Sequence, residues 1–431
     1  MAAAGRASGL DLEALEGAVR RAVLNVGAGL VEDLLRGVGV GRRGEATRCA
    51  CGAVMHSLGV RTKRVLTLLG EVSFERSAFQ CARCGKTRFP GDEELDIAGT
   101  SHSSGIRRQV ARLGAKESFG AVAEDMKALA GIDISRKGAE RVAEAMGEDM
   151  GQWADREREK LRFQAPPAPE AEKTIETLYI EMDGTGVPMT EHEVAGRKGK
   201  QKDGSAKTRE AKLGCVFTQT AFDEENRPIR DPATTSFTGA IESAAPFGWR
   251  IYLEAQMRGL FLAKRVVVLS DGAEWIRNIV QTHFPMAKHI LDIYHAREHL
   301  IALCRLLFAN APKAFTLYKD RWWDCLDEGD IETIMEEARG FLPKETDTGK
   351  EARTAIAYFE TNMERMRYAE FKAKGMFLGS GVIEAGCKHV IGQRLKQSGM
   401  EWTVRGANAI IALRCIEASN RTEDYWEQRA V

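Results

Sequence analysis

The chain predicts an α/β fold: a sheet-and-helix core broken by one long all-helical segment and preceded by smaller modules. Three observations predict it. Between Val266 and His299, two short apolar runs each lead to an aspartate, Asp271 and Asp292, with the helical spacing of Trp275, Ile276, Ile279 and Val280 between them. This reads as strand, helix, strand, with carboxylates at the carboxyl ends of buried strands, where open α/β sheets place their chemistry. Upstream, Thr177 to Met182 is another apolar run, closed by Asp183-Gly184. Downstream, residues 296–378 carry almost unbroken helical spacing.

Composition sets outer limits. A chain of 431 residues is expected to form two to four domains. At 44% hydrophobic and 29% charged residues it is globular. It has no eighteen-residue apolar run to span a membrane. The opening MAAAGRASGLDLEALEGAV lacks the basic flank and apolar core of a signal peptide. A cytoplasmic location is expected. Lys+Arg and Asp+Glu both number 62, so net charge points to no partner, and any nucleic-acid signal must come from local clusters. Of nine cysteines, four are packed as Cys49, Cys51, Cys81 and Cys84. That argues for a metal site in a reducing compartment rather than a disulfide framework.

The N-terminal module, residues 1–45, carries an amphipathic pattern (Leu10, Leu12, Leu15, Val19, Val23, Leu24, Leu30, Leu34, Leu35) that reads as a packing or oligomerising helix pair. In residues 46–95, Cys49-Ala-Cys51-Gly and Cys81-Ala-Arg-Cys84-Gly form two knuckles, the ribbon-type arrangement in which four thiolates hold a structural Zn²⁺. The first knuckle is tighter than usual, and His56 is a possible substitute ligand. Residues around Gly70 read as a strand pair. Residues 100–162 are helical, with Ser118 and Ser135 as caps and a break at Gly131. Helix, glycine turn, helix, with Arg136 and Lys137 opening the second helix, fits a helix-turn-helix contact with DNA, although any small helical bundle gives a similar pattern. The Pro/Ala-rich stretch 163–175 reads as a linker.

The core is expected over 176–295 and 379–420, with 296–378 as a helical insertion. After the Asp183 strand, Gly196 to Lys212 holds seven basic and two acidic residues. Arg197, Lys198, Lys200, Lys202, Lys207 and Arg209 suit a basic hairpin that contacts phosphate backbone. Leu213–Thr220 and Thr234–Thr238 read as strands and Ala240–Ala263 as mostly helical. The order is strand, strand, strand, helix, strand, helix, strand, which is that of a ribonuclease-H-like sheet. The last helix follows Gly379-Ser-Gly, with Glu384 in its first turns and Lys388, His389, Arg394 and Lys396 after it.

In such a core the first strand, the fourth strand and the final helix converge. Asp183, Asp271 and Glu384 would then form a carboxylate triad able to hold two Mg²⁺ ions for in-line phosphoryl displacement. Taken singly, each Asp-Gly is also a common turn pair. A competing motif, His295-Ala-Arg-Glu298-His299, matches the H-x-x-E-H of zinc peptidases. It leaves the hairpin, the knuckles and the Asp-Gly strand ends unexplained.

Together YIEMDGTGVPM, GRKGKQKDGSAKTREAKLGCVF, VVVLSDGAEW, LDIYH and GSGVIEAGCKHVIGQRLKQSGMEW make the chain resemble the DDE transposases of ISKra-type bacterial insertion sequences, and more distantly the Mutator-like group. The resemblance spans roughly residues 171–418. It implies Mg²⁺ or Mn²⁺ dependence, with two ions at Asp183, Asp271 and Glu384. It also implies recognition of terminal inverted repeats and target DNA, and homo-oligomeric assembly on DNA. Asp292 and His295 look like the Asp-x-x-His element of Mutator-like enzymes, an accessory part of the catalytic site. The alternative within the same resemblance is a catalytically inactive, transposon-derived DNA-binding protein.

Overall fold

The computed structural model describes residues 11–38, 48–163, 175–199, 201–231, 233–342 and 347–429. Two compact units divide between Met146 and Gly147. This boundary falls inside a helix, upstream of the Pro/Ala stretch expected to separate domains; residues 164–174 of that stretch lie outside the described residues.

In the first unit the expected N-terminal helix pair is one helix, α1 (Leu12–Val38). It runs through Gly27, where Leu69 packs 3.3 Å from the position a Cβ would take. Ala28, Val31 and Leu35 lie on Val65, Val72, Phe74 and Ile97. Strands β1 (Met55–Thr67) and β2 (Gly70–Cys81) form the expected antiparallel pair, closed by Gly70 at φ 126°. A short β3 (Thr87–Arg88) and α2 (Pro90–Glu94) follow. The hairpin's Lys63 and Arg76 turn inward to buried Asp92, at 2.8 and 2.6 Å. Next come α3 (Ser104–Gly114) and α4 (Phe119–Asp125), the latter capped by Ser118, whose Oγ accepts from Ala121 N at 3.2 Å. Gly131, at φ 73°, turns the chain, and Ser135 Oγ accepts from Gly138 N at the start of α5 (Arg136–Arg162).

The second unit takes up α5 from Gly147. A Cβ on Gly147 would stand 2.2 Å from the Ala409 carbonyl oxygen, so only glycine lets this helix lie so close. Farther along, Arg158 reaches buried Glu254 at 3.2 Å. The helix continues across the boundary because its second half packs on the sheet unit.

That unit contains β4 (Ile175–Pro188), α6 (Glu191–Val194), β5 (Thr208–Gln219), a small hairpin β6 (Ala221–Phe222) and β7 (Pro228–Ile229), then β8 (Ser236–Ala240) and α7 (Ala244–Met257). It continues with β9 (Ala263–Ser270), α8 (Glu274–His283) and β10 (Lys288–Leu291). Among the described residues the central sheet has five strands in the order β10-β9-β4-β5-β8. The pairs β4–β5 and β5–β8 are antiparallel; β4–β9 and β9–β10 are parallel. This is a mixed sheet in a mixed α/β unit, with strands and helices in the order the sequence predicts.

Alternation along β4 divides its side chains between two faces. Leu178, Ile180 and Met182 join Val216, Val268, Phe247, Ile251, Ile276 and Ile279 in a core beneath α7 and α8. Tyr179, Glu181 and Asp183 take the opposite face. After β10 come α9 (Ile293–Leu307), α10 (Pro312–Glu328), α11 (Ile331–Gly340), α12 (Asp347–Asn362) and α13 (Tyr368–Ala373). Then α14 (Gly381–Gly386), a π-helical turn over Cys387–Gly392 and α15 (Gln393–Leu395) make one helical run, followed by α16 (Val404–Ala418) and α17 (Thr422–Arg429). Among the described residues no helix is long and apolar enough to cross a membrane.

Candidate functional site

Asp183, on β4, and Asp271, the residue after β9, lie close enough for the charge of one to act on the other. The register pairs Ile175 with Ala263 and Glu181 with Leu269, and continuing that offset sets Asp183 beside Asp271. Both are half-buried. Each holds one carboxylate oxygen on local backbone: Asp183 accepts from Gly184 N at 2.6 Å, Asp271 from Ala273 N at 2.9 Å. Gly272, at φ 89°, makes the turn that leaves Asp271 at the strand end. Burial pushes the Asp183 carboxyl up from its ordinary value; the Cys387 thiol and Gly184 N–H pull it back, and the negative charge of Asp271 pushes it further up. His295 is near enough to favour the Asp183 carboxylate. Two like charges at one strand end, partly withdrawn from water, are the donor set that a divalent cation would relieve.

Glu384 is half-buried in α14, the helix over the Asp183 face of the sheet. One turn on, burial pushes the Cys387 thiol up, and Cys387 lies near enough to Asp183 for the Asp183 charge to push it further. Gly386 lets this helix lie close to the sheet, since a Cβ there would stand 2.6 Å from the Phe237 ring. The three acids do not, however, form a closed ligand cluster. Among the described residues the one group of His, Cys, Asp or Glu ligand atoms gathered within 4.8 Å is the four cysteines.

The sequence motif assigns Asp292 a share in the catalytic chemistry. The structure instead buries it fully, as an anchor for the backbone around it. Its Oδ1 accepts from His295 N at 2.9 Å and caps α9; its Oδ2 accepts from both Ser380 N and Ser380 Oγ. Ser380 precedes α14 and would ordinarily cap it. Its hydroxyl is committed to Asp292, and the orphan N–H of Ile383 is capped from the sheet by Glu181 Oε2 at 2.8 Å. Burial raises the Glu181 carboxyl to about 8, opposed by the Ile383 N–H and reinforced by the Asp292 charge. Thus two buried side-chain carboxyl groups fix the start of the helix that carries Glu384. Sequence reasoning missed Glu181, although period-two spacing sets it on the Asp183 face.

The peptidase-like motif is otherwise employed. His299 stacks on Tyr358 of α12 with ring centroids 3.8 Å apart, and His295 Nδ1 lies 3.5 Å from Glu298 Oε2. Neither histidine belongs to a metal-ligand group among the described residues. The Tyr358 hydroxyl lies 3.2 Å from where a Cβ on Gly272 would stand, so the insertion reaches the Asp271 turn.

The expected DNA-contacting cations divide. Arg197, Lys198, Lys202 and Lys207 are exposed on the β4–β5 hairpin, and Lys200 lies outside the described residues. Arg209 pairs with Glu193 at 3.5 Å. Lys388 and His389 are exposed, His389 Nδ1 lying 2.9 Å from Gln393 Oε1. Lys396 bonds the Thr185 hydroxyl, on the Asp183 strand. Arg394 is a correction: it is fully buried, 3.3 Å from Met400 Sδ and 5.0 Å from the Trp402 ring, out of reach of a phosphate. Its hydrocarbon stem and planar head suit that packing. Arg136 and Lys137 are exposed at the start of α5, with Lys137 bonded to Glu140 at 2.5 Å.

His289 gives the site a pH dependence. Its Nε2 lies 2.8 Å from Ser270 Oγ, and burial, with the charges of Arg365 and Arg277, lowers its pKa to about 3. The unfolded chain therefore takes up a proton near pH 6.5 that the folded chain refuses, so this contribution is full above 6.5 and is lost as pH falls towards 3. His289→Gln is expected to flatten the fall in urea midpoint between pH 6.5 and 4, an effect on the order of a few kcal/mol. A slope equal to wild type would contradict it.

In the first unit, Cys49 and Cys84 Sγ atoms are 3.5 Å apart, as are those of Cys51 and Cys81. The N–H of Cys84, opposed by burial and aided by that of Arg83, holds the Cys81 thiol down to about 6. His56 pairs with Gln80 along the hairpin and is outside the group. The four thiols suit a tetrahedral structural Zn²⁺. Metal analysis of the purified chain is expected to find one zinc, lost in Cys51→Ser, with residues 48–88 becoming protease-sensitive. Zinc content unchanged in that variant would refute the assignment.

The profile of the uncharacterised protein family UPF0236 matches residues 252–430, which include Asp271, Asp292, His295 and Glu384 but not Asp183. A UPF0236 protein of Caldanaerobacter subterraneus subsp. tengcongensis is 22% identical over 362 residues, 82% of this chain and 67% of its own length. Its name joins eleven designations from that one strain. A UPF0236 protein in the vanSb 3′ region of Streptococcus gallolyticus is 21% identical over 373 residues, 85% of this chain and 75% of its own. Among solved structures, the Drosophila P element transposase strand transfer complex aligns over 79% of this chain and 84% of its own, at 10% identity and a TM-score of 0.24.

Proposed function

We propose that this chain is a DDE-type DNA transposase. On this reading the five-stranded sheet is a ribonuclease-H-like core, and Asp183, Asp271 and Glu384 hold two Mg²⁺ or Mn²⁺ ions. The observation that supports it is the parallel register of β4 and β9, whose offset carries on past Glu181–Leu269 to Asp183 and Asp271, with Glu384 on the helix packed against β4. The eleven designations of one strain joined in a single relative's name are what a gene present in many copies would carry, which suits a mobile element.

The reaction begins with attack of a water oxygen on phosphorus at the transposon end. The P–O3′ bond breaks and the 3′ oxygen leaves as a 3′-OH. That hydroxyl then attacks a phosphorus of target DNA, displacing another 3′ oxygen and joining the strands. Divalent metal, when bound, supplies charge neutralisation at the attacking and leaving oxygens. The chain's own residues position. Glu181 and Asp292 hold the start of α14, Lys396 brings a cation to Thr185 on the Asp183 strand, and His295 either contacts the scissile phosphate or only orients Asp292. Arg197, Lys198, Lys202, Lys207 and Lys388 hold backbone phosphates. The cysteine module and Arg136 and Lys137 serve recognition of the element ends. The test is Mg²⁺-dependent cleavage of a supercoiled plasmid carrying the inverted repeats that flank the gene. Equal cleavage by wild type and Asp183→Asn would overturn the reading.

A further inference from the structure

Helix α1 is apolar on two faces, and among the described residues one of them is left exposed. Ala28, Val31 and Leu35 pack on the β1–β2 hairpin. About a third of a turn away runs a second stripe: Leu12, Leu15, Val19, Val23, Val26, Leu30 and Leu34. These side chains are 71, 46, 61, 64, 64, 59 and 68% exposed. Scattered exposed leucines need no explanation, but a continuous stripe on one helix does.

The spacing identifies the occupant. Steps of three, four and four residues repeat, so that Leu12, Val23 and Leu34 recur every eleven positions, as do Leu15 with Val26 and Val19 with Leu30. Eleven residues in three turns is about 3.67 per turn, close to an unstrained α-helix, and it keeps a seam on one side over the whole length with slight right-handed supercoiling. A seam of that regularity is complementary to another helix with the same repeat. Ala18, Ala22 and Gly29 line one edge, where small side chains allow close approach of a second helix. The stretches MAAAGRASGL, GVGRRGEAT, QAPPAPEAEKT and PKET contain few large apolar residues to match the stripe.

We propose that α1 pairs with α1 of a second copy of this chain through this eleven-residue seam, forming a dimer that needs no DNA. Val23 is the midpoint of the stripe. Full overlap of two stripes therefore sets Val23 against Val23 of the other copy, whether the helices run parallel or antiparallel.

The experiment is sedimentation equilibrium on the full chain without DNA. Wild type is expected to dimerise at micromolar concentration. Val23→Glu is expected to raise the dissociation constant at least a hundred-fold, with circular dichroism and zinc content unchanged, because the position is exposed within one copy. Mixing Val23→Glu with Val23→Lys chains is expected to restore a heterodimer. A monomeric wild type would overturn the proposal, as would a Val23→Glu dimer as tight as wild type. Loss of the dimer without rescue on mixing would overturn it too, since the seam would then dock on a different surface. None of these outcomes bears on the proposed strand-transfer chemistry, which the plasmid assay tests separately.

Discussion

Asp183→Asn is expected to abolish plasmid cleavage while leaving the protein at least as stable as wild type. The loss should be roughly a thousand-fold or more, because the charge stabilisation supplied by a bound divalent cation is worth several kcal/mol. Stability should move the other way. Burial and the neighbouring Asp271 raise the Asp183 carboxyl, so ionised Asp183 is held at a cost to the fold that the amide does not incur. Calorimetry and the cleavage assay on one preparation would show melting temperature level or higher with activity gone. A variant that cleaved normally would remove Asp183 from the reaction. A variant with a sharply lower melting temperature would show that Asp183 serves the fold.

Asp292→Ala is expected to produce the largest loss of stability, about 3 kcal/mol or more, read from urea unfolding. It removes a helix cap worth 0.5–2 kcal/mol, on typical magnitudes of about one. It also leaves the buried Ser380 N–H and hydroxyl without their acceptor, each at roughly 1–3 kcal/mol. Cleavage should fall as well, since α14 loses one of its two anchors. Metal affinity separates this positioning role from ligation. Asp271→Ala should lose Mn²⁺ binding by calorimetric titration, whereas Asp292→Asn should retain it. The reverse pattern would exchange the two assignments.

Much of this was legible in the sequence because it depends on local periodicity. Alternation in TLYIEMDG and the apolar run VVVL fix two strands and the faces of their side chains, and Asp-Gly marks where each strand stops. The order of elements along the chain was legible, but the sheet order was not, because the crossover through α7 that sets β9 beside β4 has no local signal. The spacing of Asp183 and Asp271 equals the register offset of their strands, so their juxtaposition was latent in the numbering. The cysteine pairs fix their own cluster. What was hidden depends on partners far apart. Glu181 bonds a backbone N–H some 202 positions away, and nothing local to it announces that. Arg394 looks like its exposed basic neighbours until Trp402 folds over it. The π-helical turn at Cys387–Gly392 shifts the phase of the helix, so regular spacing extrapolated from Glu384 misassigns which following residues face solvent. The division of α5 at Met146 was hidden for a similar reason, since helical propensity does not reveal what a helix packs against.

The Asp292 clamp also bears on how this architecture can be rebuilt. One carboxylate binds His295 N, where the chain leaves the sheet for its helical excursion, and Ser380, where it returns; Ile293 N donates to Leu378 O between them at 3.0 Å. An excursion whose two ends already touch can be shortened, lengthened or exchanged without moving the strands, and lengthening it twofold adds only about 0.6 kcal/mol of closure entropy. The sheet still leans on this segment, since Phe377 packs on Tyr179 and the Tyr368 hydroxyl donates to Leu291 O. The exchangeable part is therefore the outer bundle, α10 and α11, where a foreign helical pair with adjacent termini should be accepted.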